Sequence, residues 1–428
     1  MQKLISFSKE PINFSQELMG GLANFLAIAY IIIVNPIILN ASGKAFPIIP
    51  SITATILTIV IMTTLAGLII KLPFVIAPGM GMNAIVSYTL IISDNLSPEI
   101  ALGVVFWSSL LLFIFSITPL RQKIINAIPI IIQIALSVGI GLFLIFIGIK
   151  NVNLVVANPN TLLSINKIDS HILLCFLGLV IATYLFIHKK VYSLILPIII
   201  ITVLNIFLNH KPLPQNIFTM PDFSLFMHIN LVDSLKFSII PAILSLFLVN
   251  FFDATATVIG LLSQIGYKDI ETKKIYYKKS LISDAISGMV SSLIGTSPGV
   301  IFVESSAAIQ TGAKTGLSAI CTAIFCIPFL FLSPIISLIP NSATSPILIL
   351  VGIIMMNNIR KINLSNLEDL IAVVLTIIMM PLCFSITAGA VFGILSYTIL
   401  KIILGKWEQL SISLIIVALF CISWFIII

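Results

Sequence analysis

Long apolar segments separated by short polar stretches dominate the chain. Apolar runs of about 18 residues recur along its whole length, and each can cross roughly 30 Å of hydrocarbon as a helix. Representative runs are Leu22–Leu39, Ile52–Ile70, Ala101–Ile117, Ile128–Ile149, Ile172–Ile187, Ser193–Leu208, Ser238–Leu262 and Ala319–Ile339. In lipid, a helix satisfies every backbone group from within one segment. The pattern therefore predicts an all-α polytopic membrane protein with about 14 transmembrane helices.

The composition agrees with this class of protein. Of the 428 residues, 59% are hydrophobic and only 9% are charged, whereas soluble domains carry roughly 25% charged residues. The sequence contains no nucleophile–base pair, metal-ligand set or phosphate loop, so we expect no catalytic residues, no metal and no cofactor. The cysteines lie in apolar runs without metal or disulfide spacing and are predicted to be buried thiols. They are Cys175, Cys321, Cys326, Cys383 and Cys421.

The positive charges indicate how the chain is oriented. With the N-terminus in the cytoplasm, most of the 22 basic residues fall in inner loops, as the positive-inside rule requires. Those left outside are Lys44, Lys150, Lys167, Lys211 and Lys236. The net charge of +7 is thus an orientation signal, and no nucleic-acid partner is expected. Residues 150–170 and 209–235 are predicted outer stretches and 263–280 the main cytoplasmic loop of a multi-pass protein of the plasma or inner membrane.

Two echoes in the sequence indicate that the chain consists of two related halves. Residues 77–79 (APG) are echoed by 297–299 (SPG). PIIIQIALSVGIGL, from Pro129, is echoed by PILILVGIIMM, from Pro346, at nearly the same separation. An odd number of crossings per half inverts the second half relative to the first. One Pro-Gly pair would indicate a kink, but two at matched positions favour paired helix breaks at a substrate site.

Three stretches place polar side chains at predicted membrane depth. APGMGMNA contains Asn83 beside a broken backbone. LVNFFDATATVIG places Asn250, Asp253 and Thr257 at i, i+3 and i+7, on one face of a helix. GVIFVESSAAIQTG places Glu304 in an apolar, helical segment. A carboxylate within the membrane is costly unless it faces a cavity or a partner, which favours a functional role for the two acids. Attachment to backbone amides at a helix break is the structural alternative.

The polar set suits a neutral heteroaromatic ligand. A carboxylate accepts N–H bonds from a nucleobase edge, and an asparagine amide donates and accepts at once. A carboxylate that alternates between protonated and ionised forms can also couple transport to protons. The absence of a basic side chain disfavours an inorganic anion, although helix N-termini bind anions unaided. Asp284, nearer the cytoplasmic end of its segment, is predicted to be structural or to act in gating.

Four motifs, in order, resemble those of the AzgA-like purine permeases, the hypoxanthine/guanine/adenine transporters of the nucleobase–ascorbate superfamily. The motifs are NFLAIAYIIIVNPIILNASG from Asn24, LPFVIAPGMGMNAIVSYT from Leu72, VNFFDATATVIG from Val249 and GTSPGVIFVESSAAIQTGAKTGLSAI from Gly295. The resemblance covers nearly the whole chain, and the second motif is its most specific part.

The resemblance implies two inverted seven-helix repeats, which form a core and a gate domain. Helices 1–4 (residues 1–120) and 8–11 (residues 236–340) would form the core. Helices 5–7 (residues 121–208) and 12–14 (residues 341–405) would form the gate, and the placement of residues 406–428 is left open. The implied activity is import of purine nucleobases by proton symport, with an elevator-like mechanism. By position, the substrate-binding residues would be Gly81, Asn83, Asn250, Asp253 and Glu304, with Asp253 and Glu304 also coupling protons.

The chain departs from the family pattern at several positions. Asn250 stands where the family has the first aspartate of the eighth helix, Ala256 replaces a glycine and Lys314 an arginine. Because Asn250 cannot ionise, one proton carrier or acceptor of a purine N–H is lost. We expect Glu304 to anchor the base and Asp253 to take over part of the missing role.

Other functions stay open at this point. The same fold could carry uracil, xanthine or an anion, or serve a membrane binding protein that does not transport. The expected partners are a purine nucleobase, protons and the lipid bilayer. The sequence leaves open which purine is preferred and whether two copies form a homodimer.

Overall fold

A helical bundle of membrane dimensions forms the molecule. The computed structural model describes residues 13–118, 129–158, 162–209, 216–265, 270–362, 366–383, 386–411, 414–415, 417–419 and 421–422. Within these ranges, seven helices are long and apolar enough to cross a membrane, and four shorter apolar helices accompany them. The predicted all-α polytopic fold is therefore confirmed, with only short strands added.

The elements follow the apolar pattern of the sequence. In the first half they are α1 (Phe14–Asn40), α2 (Ile48–Ile69), β1 (Ile76–Pro78), α3 (Met80–Ala84, continuing as the π-helix Ile85–Ser93), α4 (Pro98–Ile117), α5 (Ile130–Asn151), β2 (Val155–Asn158), β3 (Leu162–Ile165), α6 (Ser170–Ile187) and α7 (Ile195–Asn209). In the second half they are α8 (Ile240–Ile265), α9 (Ile270–Ile294), β4 (Gly299–Ile301), α10 (Ser306–Gln310), α11 (Gly316–Cys326), α12 (Ser333–Ser337), α13 (Asn341–Met356), α14 (Leu367–Leu382) and α15 (Ile386–Ile403). The 3-10 turns are Ala41–Gly43, Asp233–Leu235, Phe237–Ile239, Val303–Ser305, Ile327–Phe331, Asn357–Lys361 and Trp407–Gln409.

Side-chain caps show why several helices begin where they do. The Asn13 side chain accepts a bond from the backbone N–H of Gln16 at the start of α1. Ser97 caps α4, which has a proline in its first turn, and Asp169 caps α6. Each cap satisfies a donor that the first turn of a helix leaves free, which is costly to bury in lipid.

The two Pro-Gly pairs break their helices and meet each other. β1 and β4 pair antiparallel, with Ile76 opposite Ile301 and Pro78 opposite Gly299. The backbone N–H of Gly79 donates to the carbonyl of Pro298 at 3.0 Å. The predicted breaks are therefore confirmed, and each half contributes one extended segment to a single crossing point in the bundle.

Buried side chains satisfy the backbone of this crossing. Thr63 on α2 bonds both the N–H and the carbonyl of Ile76, at 3.1 and 2.9 Å. On α9, Asp284 accepts from the N–H of Ile301 at 2.7 Å, and the Ser291 hydroxyl accepts from the N–H of Gly299 at 2.9 Å. A two-stranded pair leaves half of its backbone groups without strand partners, and these side chains supply them. Asp284 thus has a structural role, one of the two roles predicted for it.

Glycines allow the halves to approach closely along two helix pairs. A Cβ on Gly67 of α2 would lie 2.7 Å from the carbonyl oxygen of Gly316 in α11. A Cβ on Gly141 of α5 would lie 2.6 Å from the carbonyl oxygen of Gly352 in α13. Small residues permit such backbone contact in membranes. The second pair joins the two helices of the longer sequence echo, although Pro129 precedes α5 whereas its counterpart lies inside α13.

Three sequence predictions about these elements are corrected by the structure. Ala319–Ile339 is not one span: α11 ends at Cys326, and a 3-10 turn and the short α12 follow, each with a proline in its first turn that removes a backbone donor. The loop predicted at 263–280 is much shorter, because α8 runs to Ile265 and the lysine-rich stretch is already helical from Ile270. Cys383, at the end of α14, is exposed rather than buried. Residues 406–428 follow the last long helix, and the part of them at 412–413, 416, 420 and 423–428 lies outside the described residues.

Glu17 caps a helix other than its own. It is 4% exposed in the first turn of α1. Its Oε1 accepts from the backbone N–H groups of Lys314 and Thr315, at 2.9 and 3.1 Å, and its Oε2 accepts from that of Ser318 at 3.2 Å. The carboxylate therefore ties the start of α1 to the start of α11.

Replacing Glu17 with glutamine is expected to destabilise the purified protein by about 1–2 kcal/mol. The amide nitrogen that replaces one oxygen is itself a donor. It could not accept a hydrogen bond from the backbone N–H that it faces. Thermal unfolding in detergent measures the effect, with Glu408→Gln at an exposed position as the matched control. Equal melting temperatures for the two variants would show that the cap contributes nothing to stability.

Candidate functional site

A cavity of ≈ 980 Å³ lies beside the crossing of β1 and β4. Part of its lining comes from α1, α3, α8 and the segment around Glu304, and the rest comes from α13, the end of α6 and the α6–α7 connection. The exposed side chains of Lys189, Lys190, Gln310 and Thr311 stand at its rim. A largely apolar cavity with a few polar groups is the usual form of a small-molecule site.

Glu304 lies on the cavity wall at a helix break. It belongs to the 3-10 turn Val303–Ser305, between β4 and α10, and not to the interior of a helix as predicted. The Tyr30 hydroxyl donates to Glu304 Oε1 at 2.9 Å. The adjacent Ser305 hydroxyl accepts from the N–H of Val75 at 2.9 Å, which ties the turn to the first half. The break therefore presents to the cavity a carboxylate that accepts a hydrogen bond from the Tyr30 hydroxyl.

Asp253 and Thr257 line the same cavity from α8, one turn apart. Asn250 lies on the same helix but is not among the described residues that line the cavity. It is buried, and within the described part of the chain both of its amide atoms lack a hydrogen-bond partner. Of the residues predicted to share one face of α8, Asp253 and Thr257 thus line the cavity, whereas Asn250 is enclosed by neighbouring helices.

The first half contributes the start of α3. Gly81 lines the cavity, and a Cβ there would lie 3.1 Å from Cγ2 of Ile140 on α5. Asn83 is fully buried and does not line the cavity among the described residues. Its Oδ1 accepts a hydrogen bond from the Ser297 hydroxyl. Asn83 therefore links the break of the first half to the break of the second.

The structure brings Gly81, Asp253 and Glu304 together and leaves Asn83 and Asn250 outside the cavity wall. Sequence reasoning missed Tyr30, which lines the cavity and bonds Glu304. Its signal was available, because a polar ring inside the long apolar run of α1 needs a partner for its hydroxyl.

Paired breaks of opposite direction inside a membrane bundle, with a cavity beside them, define an inverted-repeat transporter built from a core and a gate. The chain belongs to the permease family of nucleobase–ascorbate transporters, whose model matches residues 15–394. The predicted resemblance is confirmed, and the family is one of transporters rather than enzymes.

Two relatives and one solved structure show how far the likeness extends. The adenine permease AdeP of Escherichia coli K12 is 33% identical over 406 residues, covering 94% of this chain and 91% of that protein. The guanine/hypoxanthine permease PbuG of Bacillus subtilis 168 is 33% identical over 422 residues, covering 96% of each. The transmembrane domain of the cyanobacterial bicarbonate transporter BicA shares the fold, with a TM-score of 0.62 at 16% identity over 90% of this chain and 98% of that one.

Proposed function

We propose that this protein transports purine nucleobases across the cell membrane. The observation that carries the proposal is the Glu304 carboxylate, held in a cavity at the crossing of two broken helices, with Asp253 on the same cavity. Relatives that match over more than nine-tenths of both chains are named as adenine and guanine/hypoxanthine permeases. A cavity of ≈ 980 Å³ has room for a bicyclic base and a few waters.

Glu304 anchors the base by accepting an N–H bond from its edge. Ala27, Met80 and Phe302 supply apolar surface for the flat ring. Gly81 leaves space between α3 and α5 where a side chain would intrude. Asn83 and Asn250 act from behind the wall, Asn83 through Ser297. Their free amide atoms would be satisfied by water or by a rearrangement on binding.

An elevator-like movement of core against gate fits this arrangement. The proposed core comprises residues 1–120 and 236–340, and the gate residues 121–208 and 341–405. Tyr30, Asp253 and Glu304 then lie on the core side of the cavity, and Leu194 and Met355 on the gate side. A cavity between two bodies can exchange its opening from one membrane face to the other when they slide.

We place the N-terminus in the cytoplasm, with the cavity rim on the same side. Lys189 and Lys190 stand at the rim, Lys314 follows the rim residues of α10, and the positive-inside rule assigns all three to inner loops. The structure then corresponds to an inward-facing state, from which the base is released into the cell.

Asp253 and Glu304 are the proposed proton carriers. Both face one cavity, so a proton taken up with the base at one membrane side can leave at the other. Asn250 cannot share this task, which leaves two cavity acids for the coupling.

Purine uptake by proteoliposomes tests the function and the coupling together. We expect an inward proton gradient to accumulate radiolabelled hypoxanthine, guanine or adenine above its equilibrium level, and a protonophore to abolish the accumulation. Unlabelled hypoxanthine, guanine and adenine should compete, whereas uracil, xanthine and sulfate should not.

Two results would contradict parts of the proposal separately. Purine uptake that ignores the gradient would contradict proton symport and leave purine transport intact. No uptake of any purine, with saturable uptake of uracil or sulfate instead, would leave the fold and overturn the substrate class. Purine binding without uptake would identify a binding protein.

A further inference from the structure

We propose that Tyr30 is the positioning residue of the Glu304 carboxylate, so that α1 sets how tightly the base is bound. The proposal rests on the proposed function, since the quantity it affects is the affinity of a base for Glu304. It concerns a residue of the first half acting on an acid of the second half.

The segment that bears Glu304 consists of short elements. Glu304 sits in a three-residue turn, preceded by the three-residue β4 and followed by the five-residue α10. A long acidic side chain on such a turn keeps its rotamer freedom unless a neighbour restrains it. The Tyr30 hydroxyl, 2.9 Å from Oε1, supplies the restraint.

Tyr30 is well suited to orient another group. It is 1% exposed and packs among buried apolar side chains, so the position of its ring is determined by packing. Phenol side chains have few rotatable bonds, and a hydrogen bond from a rigid donor directs the acceptor strongly.

Helix α1 contacts the second half in register along its length. The chain of the second half runs antiparallel to α1, and buried polar side chains of α1 bond it at four successive levels. Asn35 donates to Thr296, Tyr30 to Glu304, Asn24 accepts from Ala308, and Glu17 accepts from Lys314, Thr315 and Ser318. Asn24 also donates to the carbonyl of Pro73, at 3.0 Å, and so reaches the first break. These bonds therefore fix the position of Glu304 relative to α1.

The Tyr30 bond has a defined consequence for the ligand. It occupies one acceptor position on Oε1 and leaves Oε2 for an N–H of the base. Because the carboxylate is already oriented, the base does not have to immobilise it on binding. Without the hydroxyl, each base would have to order the carboxylate when it binds. The affinity of every base that bonds Glu304 would therefore fall.

The test is Tyr30→Phe, which keeps the ring and removes the donor. Initial rates of purine uptake over a range of concentrations should show KM raised about fivefold for each transported base, with Vmax unchanged. The equilibrium Kd of the same bases for the protein in detergent should rise by the same factor. Tyr397→Phe, a buried tyrosine of α15 away from the cavity, is the matched control and should leave both constants unchanged.

Several outcomes would overturn the proposal. KM and Kd equal to those of the unmodified protein would show that Tyr30 does not affect the affinity for the base. A rise for one base alone would mean that Tyr30 contacts that base directly. A loss of Vmax at constant Kd would assign Tyr30 to the movement of the domains. Failure of the proposed function is distinguishable, because the unmodified protein would then take up no purine.

Discussion

Replacing Glu304 with glutamine is expected to reduce the efficiency of purine uptake by about 100-fold. Glutamine has nearly the same shape and keeps one oxygen, which can still accept the Tyr30 hydroxyl. Its amide nitrogen would then face the cavity, where the carboxylate offered an acceptor. A base N–H would meet another donor, and both groups would lose their partners. A site built for a hydrogen bond discriminates strongly against such a mismatch.

Initial uptake rates in proteoliposomes measure this effect, alongside Kd for the same bases in detergent. Glu99→Gln is the matched control, because Glu99 is paired with His228 away from the cavity. A loss of uptake with unchanged Kd would assign Glu304 to proton coupling alone. Uptake and binding both equal to those of the unmodified protein would show that Glu304 takes part in neither.

Gly316→Ala is expected to prevent stable folding. A Cβ at this position would overlap the carbonyl oxygen of Gly67, so two backbones would have to separate where α2 and α11 cross. The cost is at least about 3 kcal/mol, because neither backbone can turn aside as a flexible side chain does. Alanine is a better helix former than glycine, so helix propensity alone predicts the opposite sign.

The yield of monodisperse protein after size-exclusion chromatography, followed by thermal unfolding, measures the loss. Gly43→Asn is the control, since Gly43 has a φ of +85° and open space around it, and asparagine tolerates that conformation. A Gly316→Ala protein with normal yield and unchanged melting temperature would mean that α2 and α11 do not approach as closely as this.

The sequence predicts the helices better than it predicts the cavity, for a physical reason. An apolar run long enough to cross lipid has few alternatives, and a Pro-Gly pair at that depth must interrupt it. The predictions for α1, α2 and the two breaks rest on these local constraints. Ala319–Ile339 met the same length criterion but contains two prolines, whose effect on the helix depends on what surrounds them.

Which polar groups face the cavity depends on helix packing, which the sequence does not specify. Asn250, Asp253 and Thr257 share one face of α8, yet only the latter two line the cavity, because a shared face does not define depth along the helix. Asn83 satisfies the motif but bonds Ser297 instead of facing the cavity. Tyr30 and Glu304 are distant in sequence, and no periodicity relates the two.

The pairing of the two breaks also has a consequence for biosynthesis. The N–H of Val75 donates to the hydroxyl of Ser305, which is synthesised 230 residues later. At a synthesis rate of about 5–20 residues per second, the first half spends roughly ten seconds or more in the membrane before its counterpart exists. During that interval, Thr63 is available to Ile76, whereas Val75 lacks its hydroxyl partner. The cavity at the crossing is therefore among the last parts of the protein to form, and a nascent chain that stops before β4 carries the first half of the bundle without this cavity.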